Sequence, residues 1–128
     1  MATDHKDKDI VITSAVRTAI GTFRGSLKDM QAKDLGALVT KSAMNNSNLN
    51  STDVDELIMG QVLTGATGQN PARQAAIQAG IPIEKTAYVI NQVCGSGLRA
   101  VAAGYQAIIS NDSKIVIAGG QESMSNAP

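Results

Sequence analysis

A strand-like run that passes directly into a helical pattern constrains the fold of this 128-residue chain more than any other feature. Residues 88–93 are rich in β-branched and aromatic side chains, which predicts a short buried strand. Apolar side chains then recur at helical spacing from Leu98 to Ile109, which predicts an amphipathic helix. The Cys-Gly-Ser-Gly stretch at 94–97 is therefore expected to be the turn between strand and helix.

Cys94, the only cysteine of the chain, lies in this turn. The N–H groups of a helix's first turn lack intrahelical partners and carry the positive end of the helix dipole, so they stabilise a thiolate. Gly95 and Gly97 have no Cβ, which lets a substrate carbonyl approach an exposed N–H that serves as an oxyanion donor. Most free buried cysteines are only small apolar residues. The turn and its glycines favour a catalytic nucleophile here, in the manner of the nucleophile elbow of serine hydrolases.

Ser96 is the rival nucleophile because it lies in the same turn. A serine nucleophile needs an adjacent base, and the only histidine of the chain is His5. His5 belongs to the charged segment 1–9, which we expect to be a disordered tail. We therefore assign no role to His5 and expect Ser96 to cap the helix.

Two further glycine pairs invite a functional interpretation. Residues 65–68 lack the following Gly-Lys-Ser/Thr of a phosphate-binding loop, so we interpret them as a plain loop. Gly119 and Gly120 end an apolar run, where they either turn the chain or let backbone approach the site closely.

The remaining elements follow from hydrophobic period and from turn residues. Strands are predicted at 10–16, 57–60, 88–93 and 114–118, and helices at about 29–45, 71–79 and 98–109. Strands separated by single helices indicate βαβ crossovers. The sequence therefore predicts an α/β fold with a mostly parallel sheet covered on both faces.

Composition excludes several classes of protein. The chain has 11 basic and 11 acidic side chains, which gives no reason to expect nucleic acid or an acidic membrane surface as a partner. A single cysteine forms neither an internal disulfide nor a cysteine metal cluster, and it suits a reducing compartment. The segment 1–9 has no apolar stretch, so we expect no signal peptide or membrane span, and a cytoplasmic location with an organelle matrix left open.

A series of motifs, in sequence order, resembles the landmarks of the thiolase family. They are Arg-Thr-Ala-Ile-Gly at 17–21, Gly-Gln-Val-Leu at 60–63, Gly-Gln-Asn-Pro-Ala-Arg-Gln at 68–74, Ala-Gly-Ile-Pro at 79–82, Asn-Gln-Val-Cys-Gly-Ser-Gly-Leu at 91–98, and Gly-Gly at 119–120 with Glu-Ser-Met-Ser at 122–125. The resemblance begins near Ile10 and covers nearly all of the chain after it.

The resemblance implies a three-layer α/β/α fold with a mostly parallel sheet. Residues 10–128 would form the amino-terminal domain, and only its first part. In this family a fifth, antiparallel strand returns after an inserted loop domain, and a carboxyl-terminal domain follows. We therefore expect this chain to lack the loop domain, that last strand and the carboxyl-terminal domain.

The resemblance also implies acyl transfer between coenzyme A thioesters. Two acetyl-CoA would condense to acetoacetyl-CoA and CoA, or the reverse, with Cys94 carrying the acyl group and no cofactor or metal. In this family a histidine and a second cysteine come from the carboxyl-terminal half, so we expect the chain alone to be inactive and to belong to a longer enzyme, a homodimer or homotetramer. Asn70, Arg73, Asn91 and Glu122 match family positions, and we expect structural roles for them.

Within the family, Cys-Gly-Ser-Gly followed by Arg99 is more similar to the acetyl-CoA acetyltransferase type than to the long-chain ketoacyl type. Gln121 departs from the methionine or alanine that is frequent there. Two alternatives stay open. One is a related condensing enzyme that decarboxylates malonyl units, and the other is an inactive structural fragment whose open sheet edge pairs with other chains.

Overall fold

A three-stranded parallel sheet forms the centre of the computed structural model, which describes residues 9–128. The strands are β1 (Glu56–Gly60), β2 (Thr86–Ile90) and β3 (Val116–Gly120), in the order β2-β1-β3. Their register brings Gly60 level with Ile90 on one side and with Gly120 on the other. All three strands therefore end at one edge of the sheet. The predicted tail and His5 lie outside the described residues.

Three α-helices cover the two faces of the sheet, namely α1 (Ala32–Asn46), α2 (Pro71–Gln78) and α3 (Ser96–Ile109). Helices α1 and α2 pack against each other on one face, and α3 packs on β3 and β1 on the other. The chain crosses from β1 to β2 through α2 and from β2 to β3 through α3. The predicted α/β/α layering is confirmed. No helix in the described part of the chain is long and apolar enough to cross a membrane.

Strand β1 is central, and both of its faces are buried. Leu57 and Met59 belong to the apolar cluster under α1 and α2, whereas Ile58 is fully buried outside that cluster, as is Ala100 of α3. The alternation is that of a pleated strand with a helix layer on each side. The cluster contains no aromatic side chain, and alanines of α2 let that helix lie close to the sheet.

Turn chemistry explains why the limits of α2 were predictable. Asn70 is the N-cap, where its Oδ1 accepts from the Arg73 N–H over 3.1 Å, and Pro71 is the first helical residue. Gly80, with φ of +91°, follows the end of the helix. Other limits shifted by a few residues. Helix α1 starts at Ala32 rather than near residue 29, and β3 starts at Val116 rather than at residue 114.

The predicted first strand at 10–16 is wrong. Within the described residues this segment joins no strand ladder, and Val11 and Ile12 are 69% and 79% exposed. A cleft of about 890 Å³ lies against it, with β3 among the other walls. The apolar run is typical of a buried strand, but a strand also needs a neighbouring strand whose backbone pairs with its own. No strand in the described part of the chain pairs with this segment.

Asp55 fastens the amino-terminal ends of the strands together. Its Oδ2 accepts from the backbone N–H groups of Lys114 and Ile115 over 2.8 and 3.1 Å, and its Oδ1 accepts from Lys85 Nζ over 3.2 Å. The Lys114 N–H lowers the pKa of the Asp55 carboxyl most, partial burial opposes that effect, and the Ile115 N–H and Lys85 add to the lowering. The carboxylate is thus favoured in the folded state.

We predict that Asp55→Asn destabilises the fold by about 1–3 kcal/mol near neutral pH, because hydrogen bonds to a charged acceptor become neutral ones. The pKa of Asp55 is lower in the folded than in the unfolded state. Its contribution to the free energy of unfolding is therefore complete above the unfolded pKa of 3.8, and it is lost as the pH falls through the folded pKa. Urea unfolding across acidic pH measures this. In Asp55→Asn the free energy of unfolding should fall less with decreasing pH than it does in the unmodified chain. Asp29→Asn, which changes an exposed carboxylate, should keep the full decrease. Equal acid dependence in both variants would contradict the prediction.

Candidate active site

Cys94 lies in the turn between the end of β2 at Ile90 and the start of α3 at Ser96. Its side chain is exposed. The turn follows the carboxyl ends of parallel strands, where α/β proteins bind ligands. The predicted passage from strand to helix is confirmed, but its limits are shifted. Strand β2 covers Thr86–Ile90 rather than residues 88–93, and the turn lies at 91–95 rather than 94–97, because α3 begins at Ser96 after its N-cap Gly95.

Two strand-end glycines lie near the first turn of α3, and only Gly60 is required by its position. A Cβ at Gly60, the last residue of β1, would lie 2.5 Å from the carbonyl carbon of Ser96 and 2.6 Å from the Gly97 nitrogen. A Cβ at Gly120, the last residue of β3, would lie 3.5 Å from the Gly97 Cα. That is an ordinary van der Waals distance, so both roles considered for the glycine pair at the end of β3 stay predictions.

Val93, directly before the cysteine, has a strained backbone. Its φ is +49°, in the left-handed region that β-branched residues rarely occupy. The Asn91 side chain accepts from the Val93 N–H over 2.9 Å. Together with hydrogen bonds to the Val93 carbonyl, this contact holds the backbone on both sides of the strained residue.

Ser96 supplies those hydrogen bonds. Its hydroxyl donates to the Val93 carbonyl over 2.6 Å and accepts from the Gln92 N–H over 2.8 Å. The residue is only 4% exposed, so the hydroxyl is engaged and inaccessible to a substrate. The predicted structural role of Ser96 is confirmed, but helix capping is the wrong form of it, because Gly95 is the N-cap and Ser96 fastens the turn instead.

The side chains at family-matching positions brace the backbone around the turn. Glu122 accepts from the N–H groups of Val62 and Leu63 over 2.8 and 3.1 Å, and Asn91 donates to the Val62 carbonyl over 3.4 Å. These contacts fix the segment that follows β1. The predicted structural roles of Glu122 and Asn91 are confirmed.

Arg73 and Asn70 brace the approach to β2 in the same way. The Arg73 guanidinium donates to the carbonyls of Lys85 and Ile83 over 2.5 and 2.6 Å. Asn70 Nδ2 donates to the Ala87 carbonyl over 2.9 Å. A planar guanidinium with several donors suits two such carbonyls at once. The structural interpretation of both residues is confirmed.

Sequence reasoning missed the contact between Arg99 and Gln92. Arg99 Nε donates to Gln92 Oε1 over 2.5 Å, which ties the second turn of α3 back to the turn that carries the cysteine. Both residues lie inside the predicted strand-turn-helix stretch. Their separation of seven residues gave no signal, because a kinked turn, not a regular period, brings them together.

The surroundings of Cys94 are open. The large cleft beside residues 10–22 does not include it. Val93, directly before it, and Leu98, in the first turn of α3, are 65% and 78% exposed. Among residues 9–128, no group of three or more histidine, cysteine, aspartate or glutamate side chains could hold a metal ion. The described part of the chain thus presents a thiol on an apolar surface beside a helix amino terminus.

Comparison with known proteins identifies relatives of the whole described region. Residues 10–128 match the family model of the thiolase N-terminal domain. The chain is 55% identical over 119 residues to an acetyl-CoA acetyltransferase of Rhizobium meliloti, covering 93% of this chain and 30% of that protein. It is 56% identical over 120 residues to an acetyl-CoA acetyltransferase of Cupriavidus necator, covering 94% and 30%. The chain thus spans about 30% of the length of these curated relatives.

A solved structure shares the fold. The chain is similar to a thiolase from Ascaris suum in complex with coenzyme A, with a TM-score of 0.92 and 48% identity. The match covers 94% of this chain and 32% of that one.

The packing of α3 against the end of β1 predicts that alanine at Gly60 and alanine at Gly97 affect stability differently. Gly60→Ala should destabilise the fold by about 1–3 kcal/mol, because the added Cβ meets backbone atoms that cannot move without displacing the helix. A Cβ at Gly97 meets nothing within 4 Å, so Gly97→Ala should leave stability unchanged or raise it by up to about 1 kcal/mol. Denaturant unfolding of the two variants checks this, and equal destabilisation would contradict it.

Proposed function

The chain belongs to the thiolase family, and from this premise we propose that it is the acyl-accepting part of an acetyl-CoA acetyltransferase, with Cys94 as the nucleophile. The position of Cys94 carries the proposal. It is the only thiol of the chain, it is exposed, and it lies in the turn that leads into α3 at the carboxyl edge of a parallel sheet. The relatives named as acetyl-CoA acetyltransferases support the choice of substrate.

The first half of the proposed reaction is transfer of an acetyl group to Cys94. The thiolate attacks the carbonyl carbon of acetyl-CoA, and an S–C bond forms as the carbonyl oxygen becomes an oxyanion. The backbone N–H of Cys94 donates to that oxyanion. The intermediate then collapses, the bond to the coenzyme A sulfur breaks, and that sulfur leaves as a thiolate that takes up a proton. The open space beside Gly97 leaves room for the thioester.

The second half joins the acetyl group to a second acetyl-CoA. That molecule must lose a proton from its methyl carbon, which needs a base. Its carbon then bonds to the carbonyl carbon of acetyl-Cys94, the bond from that carbon to the Cys94 sulfur breaks, and acetoacetyl-CoA leaves as the Cys94 thiolate is regenerated. The sequence holds one histidine, His5, and one cysteine, which is already used as the nucleophile. We assign no role to His5 and therefore propose that the base comes from outside this chain, so that the chain by itself accepts one acetyl group and does not turn over.

Other parts of the proposal rest on the resemblance. The reaction uses coenzyme A thioesters as substrates and calls for no metal or prosthetic group. The complete enzyme would be a homodimer or homotetramer in the cytoplasm, a location with which a single free thiol is compatible.

We predict that the purified chain takes up one acetyl group from acetyl-CoA, as a thioester on Cys94. Intact-mass spectrometry measures the uptake, and reversal by free coenzyme A or hydroxylamine identifies a thioester. Cys94→Ala should abolish the reversible product, because no other thiol is present. The same preparation should form no acetoacetyl-CoA over many turnovers.

Two results would count against the proposal. Absence of a thioester in the unmodified chain, although iodoacetamide shows that Cys94 is accessible, would remove the acyl-acceptor role. Sustained formation or cleavage of acetoacetyl-CoA by the chain alone would show that residues within it supply the base.

A further inference from the structure

The peptide unit between Val93 and Cys94 is held on its carbonyl side by one residue. The Ser96 hydroxyl donates to the Val93 carbonyl over 2.6 Å, and the Ser96 backbone N–H donates to the same oxygen over 3.1 Å. Ser96 is 4% exposed. Both donors therefore approach the carbonyl from the buried side of the turn.

The direction of the Cys94 N–H follows from this arrangement. A trans peptide unit is planar, and its C=O and N–H point in opposite directions; the described residues contain no cis peptide bond. Because the Val93 carbonyl points at buried Ser96, the Cys94 N–H points in the opposite direction. Cys94 itself is exposed. A carbonyl that accepts hydrogen bonds also polarises its peptide unit, which makes the N–H at the other end a stronger donor.

The backbone of Val93 would not adopt this conformation by itself. Its φ of +49° is unfavourable for a β-branched residue, and its side chain is 65% exposed, so packing does not impose the angle. Hydrogen bonds do. Asn91 Oδ1 holds the Val93 N–H over 2.9 Å, and Ser96 holds the carbonyl.

We propose that Ser96 is a positioning residue for acyl transfer. Its hydroxyl fixes the peptide unit between Val93 and Cys94 so that the Cys94 N–H faces the oxyanion that forms when the thiol attacks a thioester. Asn91 holds the other side of Val93 in the same orientation. This inference rests on the proposed function, in which Cys94 is the acyl acceptor. It assigns a role in that reaction to Ser96, a residue that does not touch the substrate.

Two reagents separate this role from a general structural one. Phenyl thioacetate acetylates a thiolate through a tetrahedral oxyanion, with an S–C bond formed and thiophenolate released. Iodoacetamide alkylates the same thiolate by direct displacement of iodide, without an oxyanion. Both react with Cys94 as the only thiol, so the ratio of the two rate constants reports the oxyanion donor and is independent of the fraction of thiolate. Cys94→Ala supplies the background from amines.

Ser96→Ala should lower the ratio of acetylation to alkylation by about tenfold, since the N–H is misdirected rather than removed. The rate of alkylation should stay within about twofold, because that reaction uses no oxyanion donor. Ser110→Ala makes the same chemical change at the other end of α3, where the hydroxyl donates to the Ala107 carbonyl. This control should leave both rates unchanged.

A second pair of variants keeps the test decisive if Ser96→Ala folds poorly. Asn91→Ala removes the acceptor of the Val93 N–H and should lower the ratio in the same direction, whereas Asn91→Asp keeps an acceptor oxygen and should restore it. A ratio unchanged in both Ser96→Ala and Asn91→Ala overturns the proposal, and so does an equal slowing of both reagents. Failure of acetyl-CoA to acetylate the unmodified chain would instead count against the proposed function, and the ratio with the small reagents would still decide the role of Ser96.

Discussion

The close approach of α3 to the end of β1 is the constraint on which the candidate site depends. A helix amino terminus can lie against a strand end at this distance only where the strand presents no side chain, and Gly60 of β1 meets that condition. The approach buries Ser96 and leaves Cys94 on the surface. Ser96 is buried and Cys94 is exposed, and this difference sets the direction of the peptide unit between Val93 and Cys94.

The turn stores a conformational cost at Val93 that local hydrogen bonds offset. A non-glycine residue in the left-handed region costs about 1–3 kcal/mol, and the contacts to Asn91 and Ser96 are each worth roughly 1 kcal/mol. Strained backbone that is held in this way is frequent at functional sites, where it positions a reacting group. Here it would direct a backbone donor, while the thiol itself stays free to react.

The elements whose limits depend on local chemistry were predictable. Asn70, Pro71 and Gly80 mark the start and end of α2 by their capping and backbone preferences. The passage from strand to helix around Cys94 follows from the change of hydrophobic period, although its limits differ from the predicted 94–97. The segment at 10–16 was not predictable in this way. Its apolar composition indicates burial in a sheet, but composition does not specify which strand lies beside it, and in the structure a cleft separates it from β3.

The sequence by itself determined the class of the fold, the order of its helices and strands after residue 30, and the placement of one thiol at a strand-to-helix turn, because these depend on periodicity and on residues with local conformational preferences. Only the tertiary structure decided that Ser96 is buried, that Gly60 lies under the first turn of α3, and that Arg99 reaches back to Gln92. These contacts join separate elements or opposite ends of a kinked turn, and their distances are set by how a helix and a sheet pack together, which no local pattern in the chain encodes.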